Sequence, residues 1–172
     1  MKINTKKIAF VGLFIALEVL LSGISIPVGA TKVMPLQHTL NAVAGILLGP
    51  WYAAVAAFFT AIIRISLGTG TIFAFPGGVF GGLVVGYVYK YFKKDYAAFA
   101  EPVGTALIGG TLSALLFAPA IGAKGSVFFY IYLFALSSVP GSITGFFFIK
   151  LIKRFLKDSD LTDIINSPEE LN

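Results

Sequence analysis

The stretch Pro27-Val-Gly-Ala-Thr-Lys-Val-Met-Pro-Leu-Gln-His-Thr-Leu-Asn41 interrupts a chain that is otherwise a succession of long apolar runs. Pro27 and Pro35 bracket Lys32, and Gln37, His38, Thr39 and Asn41 follow almost at once. Polar groups are concentrated where lipid would penalise them. Side chains held at membrane depth must face protein, water or a ligand.

The surrounding composition sets the class. Hydrophobic residues make up 57% of the 172 and charged residues 12%, with a mean hydropathy of +0.89, whereas soluble domains carry about a quarter charged residues. This composition predicts an all-α integral membrane protein. The apolar runs approach the roughly 20 residues that span a bilayer core, so the expectation is a six-helix membrane domain over 1–154 and a polar cytoplasmic tail over 155–172. With no cysteine, disulfides, thiolate chemistry and Cys-ligated metals are excluded. The net charge of +5 lies beside the apolar runs, which is an orientation signal and not a nucleic-acid footprint.

Before the quoted stretch, Lys2, Lys6 and Lys7 lead into a first helix predicted from Ile8 to about Ile26. Glu18 interrupts it, and its apolar pattern is long enough to span, so it is read as a membrane helix and not a cleaved signal. Ala9, Gly12 and Ala16 line small residues along one of its faces, as helices that pack closely in membranes do. After the stretch, a short second helix is expected from Leu36 to Leu48 and would rise only ~20 Å, less than the ~30 Å hydrocarbon core. Gly49-Pro50 breaks the chain, and Trp51 and Tyr52 suit an interfacial belt. A third helix is predicted from Trp51 to Leu67, and a fourth opens at Pro76 with Gly78, Gly82 and Gly86 on one face. The fifth is expected from Ala98 to Ala118, and the sixth from Val127 to Leu151 with a kink at Pro140-Gly141.

Charge counting gives an orientation. With both termini on one side, that side holds Lys2, Lys6, Lys7, Lys90, Lys93, Lys94, Lys150, Lys153, Arg154 and Lys157, which is ten of the thirteen basic residues. Lys32, Arg64 and Lys124 remain for the other side. The expectation is a multi-pass protein of the cell membrane with both termini cytoplasmic. The segments Pro27 to Leu36, Gly68 to Phe75 and Ile121 to Ser126 then converge outside. There Lys32, Gln37, His38 and Asn41 with Thr69 and Thr71 supply polar anchors, and Phe73, Phe75, Tyr130 and Tyr132 supply flat walls, a combination suited to a planar heterocycle. Glu18 and Arg64 are read as the two charges within spans. Since a lone charge there costs at least ~2.5 kcal/mol, they are expected to pair or share a polar network, or Arg64 faces the pocket.

Enzyme chemistry has no foothold. No His-Glu-x-x-His occurs, a single histidine excludes a multi-His metal site, and Gly68-x-Gly70 is too weak to be a phosphate loop. No catalytic residue, metal or cofactor is expected. ATP-driven movement would require another chain to hydrolyse the nucleotide.

Several strings then point to a family. Gly29-Ala-Thr-Lys-Val-x-Pro-x-Gln-His-x-x-Asn41, Leu48-Gly-Pro-Trp-Tyr52, Ile63-Arg64 and Gly70-Thr-x-x-Ala-Phe-Pro-Gly77 resemble the ThiW group of S components, the substrate-binding subunits of energy-coupling factor (ECF) vitamin transporters. The resemblance covers about Lys6 to Arg154. It implies a six-helix S-component fold and capture from outside of a thiamine precursor, the thiazole. It also implies lipid and two kinds of protein partner: a transmembrane coupling protein (T component) and two ATPase subunits. Docking in that family uses an Ala-x-x-x-Ala motif on the first helix, for which Gly12-x-x-x-Ala16 with Ala9 a turn before is the nearest match, Leu13 standing where a second alanine after Ala9 would be. The alternatives are an S component for another precursor such as a pyrimidine, or a self-sufficient small carrier or channel lined by Glu18 and Arg64.

Overall fold

The computed structural model of the chain describes residues 5–28 and 31–155, with backbone alone at 27, 28, 31 and 32. Of the expected tail over 155–172, Phe155 still belongs to the last helix, and 156–172, like the first basic residue, Lys2, lie outside the described residues. Six helical segments follow one another: α1 (Thr5–Leu21), α2 (Pro35–Leu48), α3 (Pro50–Ser66), α4 (Ala74–Phe92), α5 (Asp95–Ala120) and α6 (Val127–Phe155). Between α1 and α2, strands β1 (Ile26–Val28) and β2 (Thr31–Val33) pair antiparallel, with Ile26 opposite Val33 and Pro27 opposite Lys32. By length and composition, α5 and α6 are long and apolar enough to cross a bilayer, whereas α3 falls in a shorter class.

Several boundaries depart from the sequence reading, among them the start of α5 at Asp95 in place of Ala98 and the end of α6 at Phe155 in place of Leu151. The first helix ends at Leu21 and not near Ile26, because the β-branched residues Ile26, Val28, Thr31 and Val33 favour extended backbone and pair across the hairpin. The segment expected to be an irregular loop is therefore a hairpin, the one departure from an all-helical architecture among the described residues. The fourth helix begins at Ala74, two residues before Pro76. Proline is still accommodated there, since first-turn amides have no intrahelical partner to lose.

The short helix α2 is the axis of the bundle. Ten of its fourteen residues are buried, and it packs on α1, α3, α4 and α6 and on the start of α5. Gly49, at φ 87°, then reverses the chain into α3 at a backbone conformation that a side chain would oppose. The core around α2 is small: Ala42, Val43, Ala44, Ile46 and Leu48 meet Ala53, Ala56 and Val85. Small residues bring helices into near-backbone contact. By contrast α1 buries only Lys7, Val11, Phe14 and Glu18, one stripe at helical spacing.

The irregularity of α5 has a local cause. Pro102 has no amide to offer the Ala98 carbonyl, so the Glu101 amide takes it, and the helix opens as a 3₁₀ turn over Asp95–Ala100. Two π-helical stretches follow, Val103–Gly109 and Ser113–Phe117. In a π-helix residues five apart become neighbours, which lets Gly104 and Gly109 both press on α4. A Cβ on Gly104 would collide with the Phe80 carbonyl oxygen, and one on Gly109 would lie 2.6 Å from that of Pro76.

Candidate functional site

The polar residues of the opening stretch are brought together at the N-terminal end of α2, and two other helices complete them. Arg64, near the C-terminal end of α3, is 2% exposed. One of its Nη atoms donates to Gln37 Oε1 on α2, the other lies 3.0 Å from Met34 Sδ and 3.3 Å from the Thr69 carbonyl. Thr69 Oγ1 in turn lies 3.2 Å from Ser22 Oγ just past α1. A single guanidinium therefore ties together the end of the hairpin, α2, α3 and the α3–α4 turn, and through Thr69 reaches the end of α1. Its planar five-donor geometry is what permits so many partners.

Glu18 on α1 is buried beside Thr60 and within Coulombic reach of Arg64. Yet neither of its carboxylate oxygens has a hydrogen-bond partner, nor has Arg64 Nε. Neither the expected pair nor a shared hydrogen-bonded network is therefore formed among the described residues; Glu18 and Arg64 are related only by Coulombic proximity.

A second network starts at the next residue of α2. His38 Nδ1 is 2.8 Å from Glu101 Oε1 on α5, with His38 at 6% and Glu101 at 0% exposure. Thr105, one turn further on α5, places its hydroxyl 2.6 Å from the same oxygen and 3.0 Å from the Gly77 carbonyl of α4. Close packing fixes His38 from the other side, since a Cβ on Gly141 of α6 would lie 2.5 Å from the His38 Cβ. Gly81 of α4 makes room for the carboxylate: a Cβ there would lie 2.7 Å from Glu101 Oε1. Between the networks, Asn41 Nδ2 and Gln37 Nε2 both approach Gly78 of α4, at 3.6 and 3.8 Å from where its Cβ would stand. The Asn41 amide nitrogen and Glu101 Oε2 are buried without partners. A buried donor or acceptor left unpaired costs about 1–3 kcal/mol, and it is what a ligand or an ordered water would satisfy.

A family model for thiamine-precursor transporter protein (ThiW) matches residues 8–155. The chain belongs to the ThiW family. No curated protein matches it. Membership makes the chain a membrane transporter of thiamine precursors, and the matched span contains both polar networks and nearly the whole helical bundle.

In this ThiW protein the remaining candidate residues separate. Phe73 stacks at 5.3 Å from the ring of Tyr130, in a small apolar cluster with Ala114, Ala118 and Phe134 that adjoins the α5–α6 loop. Phe75 does not join it. Its ring meets Phe58 at 5.3 Å and lines an open, wholly apolar groove with Pro76, Val79, Phe80 and Phe117. Thr71 and Tyr132 are exposed, and Thr71 contributes a turn through its carbonyl, which accepts from the Ala74 amide at 2.9 Å. Lys32 is described by backbone alone, opposite Pro27 in the hairpin. On α1, Ala9, Gly12 and Ala16 are all exposed, and a Cβ on Gly12 would meet nothing within 4 Å. Among the described residues no group of three or more His, Asp or Glu is placed to hold a metal ion.

Glu101 is the site residue that sequence reasoning misses. It lies inside the fifth helix expected from Ala98 to Ala118, yet only Glu18 and Arg64 are read as charges within spans. The available signal was Glu101-Pro102 followed by Gly104 and Thr105, a carboxylate and a hydroxyl one helical turn apart inside an apolar run.

Proposed function

We propose that this ThiW protein is the substrate-binding membrane subunit of an ECF-type ABC importer. It captures hydroxyethylthiazole from outside and releases it inward when coupled to a T component and two ATPase subunits. The observation that carries the reading is the buried, incompletely satisfied polar set on α2, α3 and α5 within a ThiW chain. Gln37 and Asn41 supply amide donors for a heterocyclic nitrogen, His38 and Arg64 flank them, and Phe73 with Tyr130 supplies an aromatic wall. The hairpin supports a lid role: the Met34 amide is held 3.1 Å from Ser137 Oγ on α6 and its sulfur lies against Arg64. The ten-to-three bias of basic residues supports six spans with cytoplasmic termini. On the same reading Ala9, Gly12 and Ala16 form the docking face for the T component, and their exposure supports it.

Titration of the purified protein with hydroxyethylthiazole, the pyrimidine precursor and intact thiamine tests the substrate. The thiazole is expected to bind tightest, with His38→Ala and Asn41→Ala each weakening it about tenfold, the loss of one or two hydrogen bonds. Tighter binding of the pyrimidine, or undiminished affinity in both variants, would move the substrate or the site elsewhere. Transport by the purified chain alone in liposomes without ATP would establish a self-sufficient carrier in place of a subunit.

A further inference from the structure

The His38–Glu101–Thr105 network contains more than a buried contact. A carboxylate has no proton to give, so an ionised Glu101 can meet His38 Nδ1 at 2.8 Å only as an acceptor. The ring must then carry its proton on Nδ1. Thr105, whose hydroxyl lies 2.6 Å from the same oxygen and 3.0 Å from the Gly77 carbonyl, has one proton to share between those two acceptors and holds the carboxylate against α4. Gly81 leaves the space that this arrangement occupies, and Gly141 packs against the base of the imidazole. Neutral histidine with its proton on Nδ1 has a bare lone pair at Nε2, the reverse of the tautomer that free neutral histidine favours. The partner of one ring nitrogen decides what the other can do. Here Nε2 forms no hydrogen bond among the described residues, yet it is not among the sealed, partnerless atoms as Asn41 Nδ2 and Glu101 Oε2 are.

We infer that Glu101 is a positioning residue that holds His38 in the Nδ1–H tautomer, so that Nε2 serves as a hydrogen-bond acceptor selecting a substrate that carries a hydroxyl group. The two sides of recognition are thereby divided. The amides of Gln37 and Asn41 donate to an acceptor atom of the heterocycle, and His38 accepts from its alcohol. An analogue without the hydroxyl leaves Nε2 unpaired, which is how a polar site rejects it. The ligand part of this inference rests on the thiazole-alcohol reading; the tautomer part does not.

The chain has one histidine, so ¹⁵N-histidine NMR of the full-length protein, purified without a polyhistidine tag, reports on His38 alone. With no substrate present the wild-type protein is expected to show Nδ1 protonated and Nε2 bare. Glu101→Leu is expected to shift the ring toward the Nε2–H form, and Glu101→Gln, which keeps an acceptor oxygen, to retain Nδ1–H. A wild-type spectrum with Nε2 protonated would overturn the inference whether or not any variant folds.

The second arm compares hydroxyethylthiazole with the same thiazole bearing an ethyl group. Glu101→Leu should cost the alcohol about tenfold in affinity and the ethyl analogue less than twofold, with Glu101→Gln restoring most of the difference. Equal losses for both ligands would mean that Glu101 only supports the fold, and would overturn the selective role. Failure of the wild-type protein to bind either thiazole would instead remove the proposed substrate while leaving the NMR result to decide the tautomer.

Discussion

Two stripes of small residues look alike in the sequence and lie in opposite situations in the molecule. On α4, Gly81, Gly82 and Gly86 are consumed by neighbours. A Cβ on Gly82 would sit 3.1 Å from the Ala53 Cβ, and one on Gly86 would collide with the backbone of Pro50. Gly104 and Gly109 of α5 answer from the other side. On α1, Ala9, Gly12 and Ala16 are exposed and a Cβ on Gly12 would meet nothing within 4 Å, because Val11, Phe14 and Glu18 turn a different face to the bundle. A small residue only makes close approach possible, and the partner decides whether it becomes a seam or a vacancy.

The largest expected effect comes from breaking the inner seam. Gly104→Leu forces side-chain volume into the Phe80 backbone, which cannot rotate away, and should destabilise by at least about 3 kcal/mol, the upper range for overpacking. Yield and thermal unfolding in detergent measure it; a variant that folds and melts normally would mean that α4 and α5 are not in backbone contact. Next comes the polar centre between the stripes. Arg64→Met leaves Glu18 buried without a nearby positive charge and unties Gln37 and Thr69, at a cost of about 3 kcal/mol. The double variant Glu18→Gln, Arg64→Met should recover part of that loss in the same unfolding assay, whereas strictly additive losses would show that the two charges do not feel each other. The smallest effect on stability belongs to the outer stripe. Gly12→Leu or Ala16→Leu should change stability by no more than about 0.5 kcal/mol and leave thiazole affinity intact, while abolishing co-purification with a coupling protein. Loss of stability there would place the stripe inside the packing after all.

Much of the fold was legible because it follows from composition and local rules. Apolar runs, Gly49-Pro50 and the basic turns delimit the helices to within a few residues, since proline and charge act locally. The hairpin was missed because Pro27 and Gly29 are ordinary loop residues, and a pair of three-residue strands is set by its pairing more than by its composition. The site was half legible. Gln37, His38, Asn41 and Arg64 were conspicuous as polar groups in apolar surroundings; Gln37 meets Arg64, whereas His38 meets Glu101 and the Asn41 amide nitrogen meets neither. Phe73 and Phe75 could not be told apart by sequence, because which of two aromatics faces inward depends on where α4 begins.

The sequence by itself determined that this chain is a membrane protein built of helices, that its polar residues gather around Pro27 to Asn41, and that its strings are those of the ThiW family. Only the tertiary structure decided that α2 is the axis, that the α4 glycines are occupied while the α1 stripe is open, and that Glu101 belongs with His38. Hydrophobic burial and local backbone chemistry are written residue by residue. A hydrogen bond between positions sixty-three residues apart depends on how helices close on one another, and that is settled only when the bundle is formed.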